Sequence, residues 1–215
     1  MTADPGDPGD PRDSGDTRGE RYAERLAASV TPRRGWRKLL DPQRPYRWNI
    51  RRLKAGRVLD IGCGVGRNLA HLDGDGVGVD HNPTSVAIAR SLGLTAYSTD
   101  EFDRSADAVA GAYDTLLVAH VLEHMTSSEA TALIERYLPY LAADGNVVAI
   151  CPQRRGQRSD PTHVTYMPRA VIASVFADAS LEVRQSKSFP FPEFVGRVFA
   201  HNETVVVARR MPGAR

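Results

Sequence analysis

The stretch GRVLDIGCGVGRN (Gly56–Asn68) decides how the chain folds. An apolar run passes directly into a glycine-rich loop, and a helical pattern follows it. Gly62, Gly64 and Gly66 allow a tight turn and let a ligand approach the backbone without a Cβ in the way. The dinucleotide-binding fingerprint fits poorly, because Arg67 stands where that fingerprint needs a small residue. No Gly-Lys-Ser/Thr sequence follows, so the loop is not a Walker phosphate loop.

Outward from this loop, strand patterns alternate with helical patterns. Further strands are predicted over 76–80, 94–98, 113–120, 146–151, 181–189 and 203–210. Helices are predicted after the first two strands and over 128–141 and 168–180, with Ser127 as a cap and a turn at Ala143–Gly145. Such alternation predicts an α/β fold with a doubly wound, mostly parallel sheet, in which the last two strands form an antiparallel edge.

The N-terminal part differs in composition from the rest of the 215 residues. Residues 1–18 are mostly Pro, Gly and Asp, and they are predicted to be a disordered acidic tail because they have almost nothing apolar to bury. Residues 19–54 are predicted to form a basic helical lid segment, and residues 55–215 the main domain. The net charge of +2 conceals this contrast, since Arg33 to Lys54 is strongly basic. That basic stretch could meet an acidic partner or could simply be a solvated helix face.

Composition also bears on location and redox state. The tail lacks the apolar core of a signal peptide, and no stretch is apolar enough to cross a membrane, so a cytoplasmic protein with no membrane partner is expected. Cys63 and Cys151 are predicted to be reduced thiols, because two distant cysteines do not form a disulfide framework. No helix shows a clear spare apolar face, so the sequence predicts no oligomeric state.

An acid ends the second predicted strand, where a nucleoside-binding sheet uses it to hold ribose hydroxyls. With this acid, Asp80, the segments VLDIGCGVGRN, GVGVDHN, DTLLVAHVLEHM and LAADGNVVAI resemble the class I S-adenosylmethionine-dependent methyltransferases, from about Arg57 onward. The resemblance implies a Rossmann-like, seven-stranded sheet with its seventh strand antiparallel. It also implies a set of cofactor-binding residues: Asp60 and Gly62, Gly64 and Gly66 for the methionine part, Asp80 for the ribose, Asp100 or Glu101 for adenine, and Ala119 for the amine. His81 is predicted to bind the cofactor too, and Arg47 in the lid segment is placed to reach the cofactor carboxylate.

The motif VAHVLEHM (Val118–Met125) contains His120, Glu123 and His124. As a bare pattern it matches the inverted zincin signature, but His120 closes a strand, so the three side chains do not start within one long helix. With His163 in the loop after the fifth strand, the motif resembles the ubiquinone-type O-methyltransferases and the small-RNA 2′-O-methyltransferases. That branch implies a divalent cation, which would here be held by His120, Glu123, His124 and His163.

The branch carries a glutamate where this chain has His120, and this departure affects the choice of metal. Three imidazoles and one carboxylate favour zinc, manganese, iron or cobalt over magnesium. The alternative is that ordinary hydrogen bonds satisfy these histidines, with His124 or His163 serving alone as the general base of an O-methylation. The predicted catalytic residues are therefore His124, His163 and Glu123.

The acceptor is predicted to be a small molecule, anionic or aromatic. Arg154, Arg155 and Arg158 favour an anion. Aromatic side chains in the lid segment and near the sixth strand either line an apolar pocket or pack helices: Trp36, Tyr46, Trp48, Phe189, Phe191 and Phe194. The sequence contains no RNA-binding module, so an RNA acceptor is the alternative and not the first choice. A non-catalytic S-adenosylmethionine-binding regulator is the other alternative.

Overall fold

The computed structural model describes residues 44–52, 55–72 and 76–211, apart from the side chains of 44–46. The strands are β1 (Val58–Ile61), β2 (Gly76–Asp80), β3 (Ala96–Ser98), β4 (Tyr113–Ala119), β5 (Leu141–Pro152), β6 (Leu181–Phe189) and β7 (Glu203–Arg210). The α-helices are α1 (Arg44–Arg52), α2 (Arg67–His71), α3 (Pro83–Ser91), α4 (Thr99–Phe102), α5 (Ser127–Tyr137), α6 (Arg154–Gln157) and α7 (Arg169–Asp178). Short 3-10 helices cover Leu122–His124, Leu138–Tyr140 and Glu193–Arg197.

The seven strands form one sheet in the order β3-β2-β1-β4-β5-β7-β6. β1 pairs in parallel with β2 and β4, and β4 pairs in parallel with β5. β7 is antiparallel to both β5 and β6. The predicted doubly wound, mostly parallel, seven-stranded sheet is confirmed, and its strand order reverses beside β1, where such sheets bind ligands at their carboxyl ends.

Apolar side chains cover both faces of the sheet, as expected for parallel strands with helices on either side. Successive residues of a strand point to opposite faces, so Leu59 and Ile61 join one core while Val58 joins another. The larger core contains Phe102, Ile134 and Phe176 among its buried side chains and lies under α5 and α7. The smaller core includes Ile50 of α1 and therefore ties that helix to the sheet.

Some local details differ from those expected. Thr126, not Ser127, caps α5, because its side chain accepts a hydrogen bond from the Glu129 amide and its own amide donates one to the Glu129 carboxylate. Residues Ala143–Gly145 do not end the preceding segment as a separate turn. They lie inside β5, at the irregularity where pairing with β4 shifts. Cys63 and Cys151 are buried free thiols.

Most of the expected N-terminal structure lies outside the described residues. The predicted acidic tail, Trp36 and most of the lid segment belong to that part of the chain, and the helix Arg44–Arg52 is the described part of the lid. Within the described ranges, no helix has the length and apolar character that a membrane crossing requires.

Candidate active site

The glycine loop joins β1 to α2 at the carboxyl edge of the sheet. Gly62, Gly64 and Gly66 all have positive φ angles, of 72°, 54° and 80°. A Cβ on Gly62 would collide with the Val121 side chain, so both its backbone angle and its surroundings require glycine. The Gly62 amide donates to the Val79 carbonyl oxygen at 2.7 Å, which ties the loop to β2.

Asp80 ends β2 and holds the loop in place. Its Oδ2 accepts from the Gly64 amide at 2.8 Å, and its Oδ1 accepts from the Asn82 amide at 2.8 Å. The Nδ1 of His81 lies 3.6 Å from Oδ1 of Asp80, and the His81 side chain is 45% exposed. The acid predicted for the ribose therefore stands at the expected strand end, with each carboxylate oxygen still able to accept a further hydrogen bond.

Asp60 is buried on β1 directly before the loop. Within the described ranges, neither of its oxygens has a hydrogen-bond partner of ordinary geometry. Burial raises the pKa of Asp60 to about 7, the Asp80 charge adds to this, and the Asn68 side chain and the Arg67 charge partly oppose it. A buried carboxylate of this kind is costly unless a cationic ligand group approaches it.

The structure distinguishes the two acids proposed for adenine. Glu101 forms a capping box with Ser98 and an ion pair with Arg90 at 2.8 Å. The Ser98 backbone and Arg90 lower the pKa of Glu101 to about 2. Asp100 lies beside Glu101 in α4 and is exposed. Asp100 is thus the better placed of the two to accept a new hydrogen bond.

A cleft of about 760 Å³, open mouth included, lies over the ends of β4 and β5. It is lined by Asn49, Ile50, Arg67, Asn68, His71, Ala119, His120, Ile150, Pro152, Ala200, His201 and Glu203. Ala119 and His120 were predicted site residues, but Arg47, Trp48, Phe189, Phe191 and Phe194 are not among the described lining residues. Trp36 and the Tyr46 side chain lie outside the described part of the chain. Trp48 is exposed and stacks on the buried Phe189 with ring centroids 6.1 Å apart, which fits packing.

Several of these lining residues were not among the site residues predicted from the sequence. Glu203 and His201 come from the start of β7 and the turn before it. A usable signal existed, because an antiparallel strand begins at the edge where its parallel neighbour ends. The predicted antiparallel strand seven therefore already placed Glu203 near the end of β5.

His120 links the cleft to the buried Glu123. Its φ of 59° turns the chain sharply after β4. Its Nε2 lies 2.8 Å from Glu203 Oε1, and its Nδ1 lies 3.4 Å from Glu123 Oε1. Burial alone would lower the pKa of His120, but the neighbouring carboxylates of Glu123 and Glu203, the latter hydrogen-bonded to its ring, raise it to about 10.

Glu123, His124 and His163 form a cluster whose ligand atoms all lie within 4.8 Å of one another. Glu123 is fully buried, and its oxygens have no hydrogen-bond partner of ordinary geometry in the described part of the chain. The Nδ1 of His124 lies 3.1 Å from the Thr162 carbonyl oxygen, and the Nδ1 of His163 lies 3.0 Å from the Gln157 carbonyl oxygen. His120, predicted as a fourth ligand, is not in this cluster; its ring lies between Glu203 and Glu123.

A glycine loop on β1, an acid at the end of β2 and this strand order define the class I S-adenosylmethionine-dependent methyltransferases. The chain belongs to the family described as "Methyltransferase domain", whose model matches residues 22–186. The chain is therefore an S-adenosylmethionine-dependent methyltransferase, as the sequence predicted. A search of curated proteins found no significant match.

Solved structures of similar fold include known and presumed methyltransferases. The magnesium protoporphyrin IX methyltransferase of Synechocystis, with bound S-adenosylhomocysteine, has a TM-score of 0.63 at 16% identity, over 91% of this chain and 96% of that one. The putative methyltransferase in complex with the Haloferax volcanii Trm112 activator has a TM-score of 0.62 at 18% identity, over 91% and 99%. A TehB-like enzyme of Corynebacterium glutamicum has a TM-score of 0.62 at 18% identity, over 90% and 100%.

Proposed function

We propose that this methyltransferase transfers the methyl group to an oxygen of a small molecule, assisted by a divalent cation held by Glu123, His124 and His163. The observation that carries the proposal is the cluster of ligand atoms that the buried Glu123 carboxylate forms with the imidazoles of His124 and His163. Glu123 has no hydrogen bond of ordinary geometry among the described residues, and its nearest imidazole nitrogen, Nδ1 of His120, lies 3.4 Å from its Oε1. Leaving a carboxylate buried and incompletely paired is costly, and a bound cation would offset that cost.

The donor set fits a transition-metal ion. Two imidazole nitrogens and one carboxylate oxygen suit zinc, manganese, iron or cobalt and leave positions open for a substrate. A backbone carbonyl that accepts from Nδ1 of His124 or His163 leaves Nε2 of that ring as the free ligand atom. This arrangement is usual for histidines that bind metals.

The residues of the site supply positioning and proton transfer. The glycine loop and Asp60 would orient the methionine end of the cofactor so that its methyl group faces the cleft near Ala119. The bound cation would lower the pKa of an acceptor hydroxyl. In the absence of a cation, Nε2 of His124 could instead receive the proton, since burial lowers the pKa of His124. His120 and Glu203 form the wall of the cleft beside this point.

The cleft lining favours a small polar or anionic acceptor. Its side chains are rich in nitrogen: Arg67, His71, His120 and His201. Among the described lining residues, Glu203 is the one carboxylate, and it is already bonded to His120. Asn49 and Ile50 of α1 contribute one wall, which supports a role for the lid segment in holding the acceptor. The proposal includes a cytoplasmic location for the enzyme and its small-molecule acceptor.

Metal content measured on purified variants tests the cation site. Cobalt(II) titration with visible absorption, together with elemental analysis, should show one bound ion in the wild-type protein. Glu123→Gln, His124→Ala and His163→Ala should each lose it, because each removes a ligand atom. His120→Ala should retain the ion, and His201→Ala serves as a control outside the cluster. A wild-type protein that binds no ion would contradict the cation proposal and leave His124 and His163 as candidate bases.

An RNA acceptor is a second candidate, favoured by one surface feature. The Arg52 guanidinium lies 4.3 Å from the centre of the exposed Trp48 ring, and the Arg52 charge contributes, after burial, to lowering the pKa of Lys187. Aromatic and basic groups placed together suit stacked bases and phosphates. Fluorescence anisotropy with a labelled single-stranded RNA would test this: affinity that falls steeply with salt, and falls further in Trp48→Ala, supports RNA.

A further inference from the structure

The glycine-loop side of the cleft contains two polar side chains with no use yet assigned. Arg67 follows Gly66 directly, lines the cleft and is partly exposed. Among the described residues it forms no ion pair or side-chain hydrogen bond. Its charge lowers the pKa of the buried Asp60, so the two groups lie close together. A guanidinium that lines a ligand cleft without an ion pair or side-chain hydrogen bond among the described residues is suited to a carboxylate, which it can bind through two hydrogen bonds.

Asn49 faces the same cleft from α1. It is 1% exposed, and its Oδ1 has no hydrogen-bond partner within the described part of the chain. A buried amide oxygen without a donor costs about 1–3 kcal/mol in a folded protein. A cationic ammonium group is the donor that such an oxygen would bind best.

We propose that Arg67 binds the carboxylate, and Asn49 the ammonium group, of the amino-acid end of S-adenosylmethionine. The two side chains present a positive donor and a neutral acceptor to a zwitterion, and both line the cleft near Ala119. This assignment replaces Arg47 as the carboxylate partner, because the cleft lining includes Asn49 and Ile50 of α1 but not Arg47. The inference rests on the methyltransferase class and does not depend on the acceptor or on a metal.

Three ligands separate the two roles in calorimetric titrations. S-adenosylhomocysteine carries both charged groups, its decarboxylated analogue carries only the ammonium group, and 5′-methylthioadenosine carries neither. Arg67→Gln should weaken S-adenosylhomocysteine about 10- to 100-fold and leave the other two unchanged. Asn49→Leu should weaken S-adenosylhomocysteine and the decarboxylated analogue by about tenfold but not 5′-methylthioadenosine.

Matched variants show whether a loss of affinity comes from the lost contact or from a damaged fold. Arg104→Gln removes an arginine that is exposed and distant from the cleft, and it should bind all three ligands like the wild type. Arg67→Lys should recover part of the lost affinity, and Asn49→Asp should bind S-adenosylhomocysteine at least as well as the wild type. Equal losses for 5′-methylthioadenosine in either variant would show a structural role and overturn the proposal. Wild-type affinity of Arg67→Gln for S-adenosylhomocysteine would also overturn it. The same holds if Arg47→Gln, and not Arg67→Gln, loses the preference for S-adenosylhomocysteine over the decarboxylated analogue.

Discussion

At the scale of single residues, the site depends on backbone angles and buried charges that most side chains would not tolerate. Gly62 combines a positive φ with close contact to Val121. Asp60 is an ionisable group without a full set of partners inside the protein. Both features cost stability, and both adjoin the position where the cofactor is expected. Such costs are common where binding sites are built.

Gly62→Ala should weaken S-adenosylhomocysteine binding at least tenfold and lower the free energy of unfolding by roughly 2–4 kcal/mol, because it adds both strain and a collision. Gly93→Ala is the matched control, since Gly93 also has a positive φ, of 79°, but no atom lies within 4 Å of its Cβ position. The control should lower the free energy of unfolding by only about 1–2 kcal/mol and should bind S-adenosylhomocysteine like the wild type. Urea unfolding and calorimetry measure both, and Val121→Ala should partly rescue Gly62→Ala.

Asp60→Asn should stabilise the ligand-free protein more at pH 8 than at pH 5. The pKa of Asp60 is about 7 in the folded protein and 3.8 ordinarily, so folding stability falls as pH rises from about 4 to 7. The asparagine variant lacks this loss of stability. Its gain in the free energy of unfolding over the wild type should therefore be roughly 1–3 kcal/mol larger at pH 8 than at pH 5. Urea unfolding at both pH values measures the gain. An equal gain at both, or a gain matched by the exposed Asp178→Asn, would contradict this account.

At the scale of elements, the segment between β6 and β7 is held by one buried polar network. Asn202 is fully buried, and its Nδ2 donates to Gln153 Oε1 at 2.9 Å and to Ser188 Oγ at 3.0 Å. Its Oδ1 accepts from the Phe191 amide at 2.9 Å. The network positions the start of β7, and with it Glu203 on the cleft wall.

Asn202→Ala should lower the free energy of unfolding by about 2–4 kcal/mol, because it leaves several buried groups without partners. The control is Asn146→Ala, which removes one exposed hydrogen bond to Arg209 and should cost less than about 0.5 kcal/mol. Limited proteolysis should also cut within 190–202 faster in the Asn202 variant. Similar unfolding curves for the two variants would show that the network contributes little.

The elements themselves were largely predictable, whereas the contacts between them were not. β6 and β7 have the predicted bounds, and β7 is marked by its run of β-branched residues from Thr204 to Val207. The glycine loop and Asp80 were also found from local pattern. The pairing of His120 with Glu203 was not, since these residues lie 83 positions apart and only the folded sheet brings them together. The capping box of Ser98 and Glu101 at the start of α4, in contrast, is a local S-x-x-E pattern that the sequence does show and that was overlooked.

At the scale of the whole molecule, one sheet carries most of the residues predicted to bind the cofactor on one half of its carboxyl edge and the cleft on the other half. The acids and glycines of β1 and β2 form the first half. The ends of β4 and β5 and the start of β7 form the second. A ligand that contacts elements on both halves should stabilise the fold as a unit.

S-adenosylhomocysteine at about 100 times its dissociation constant should raise the melting temperature by roughly 5–10 °C, because binding to the folded state alone adds about 2.7 kcal/mol. Differential scanning fluorimetry measures the shift. Asp80→Asn should show a smaller shift at the same concentration, since it weakens the hold on the loop. Adenosine, which lacks the amino-acid end, should give a smaller shift than S-adenosylhomocysteine; an equal shift would argue against recognition of that end.

The place of β7 in the sheet has a consequence for synthesis in the cell. β7 lies between β5 and β6, although it follows both in the chain. While the ribosome adds the residues from 153 to 210, at about 5–20 residues per second, the apolar strand β5 has emerged without its permanent neighbour. For several seconds the nascent chain therefore exposes a sheet edge that contains Val147 to Ile150, and this interval is when chaperone binding or aggregation would compete with folding.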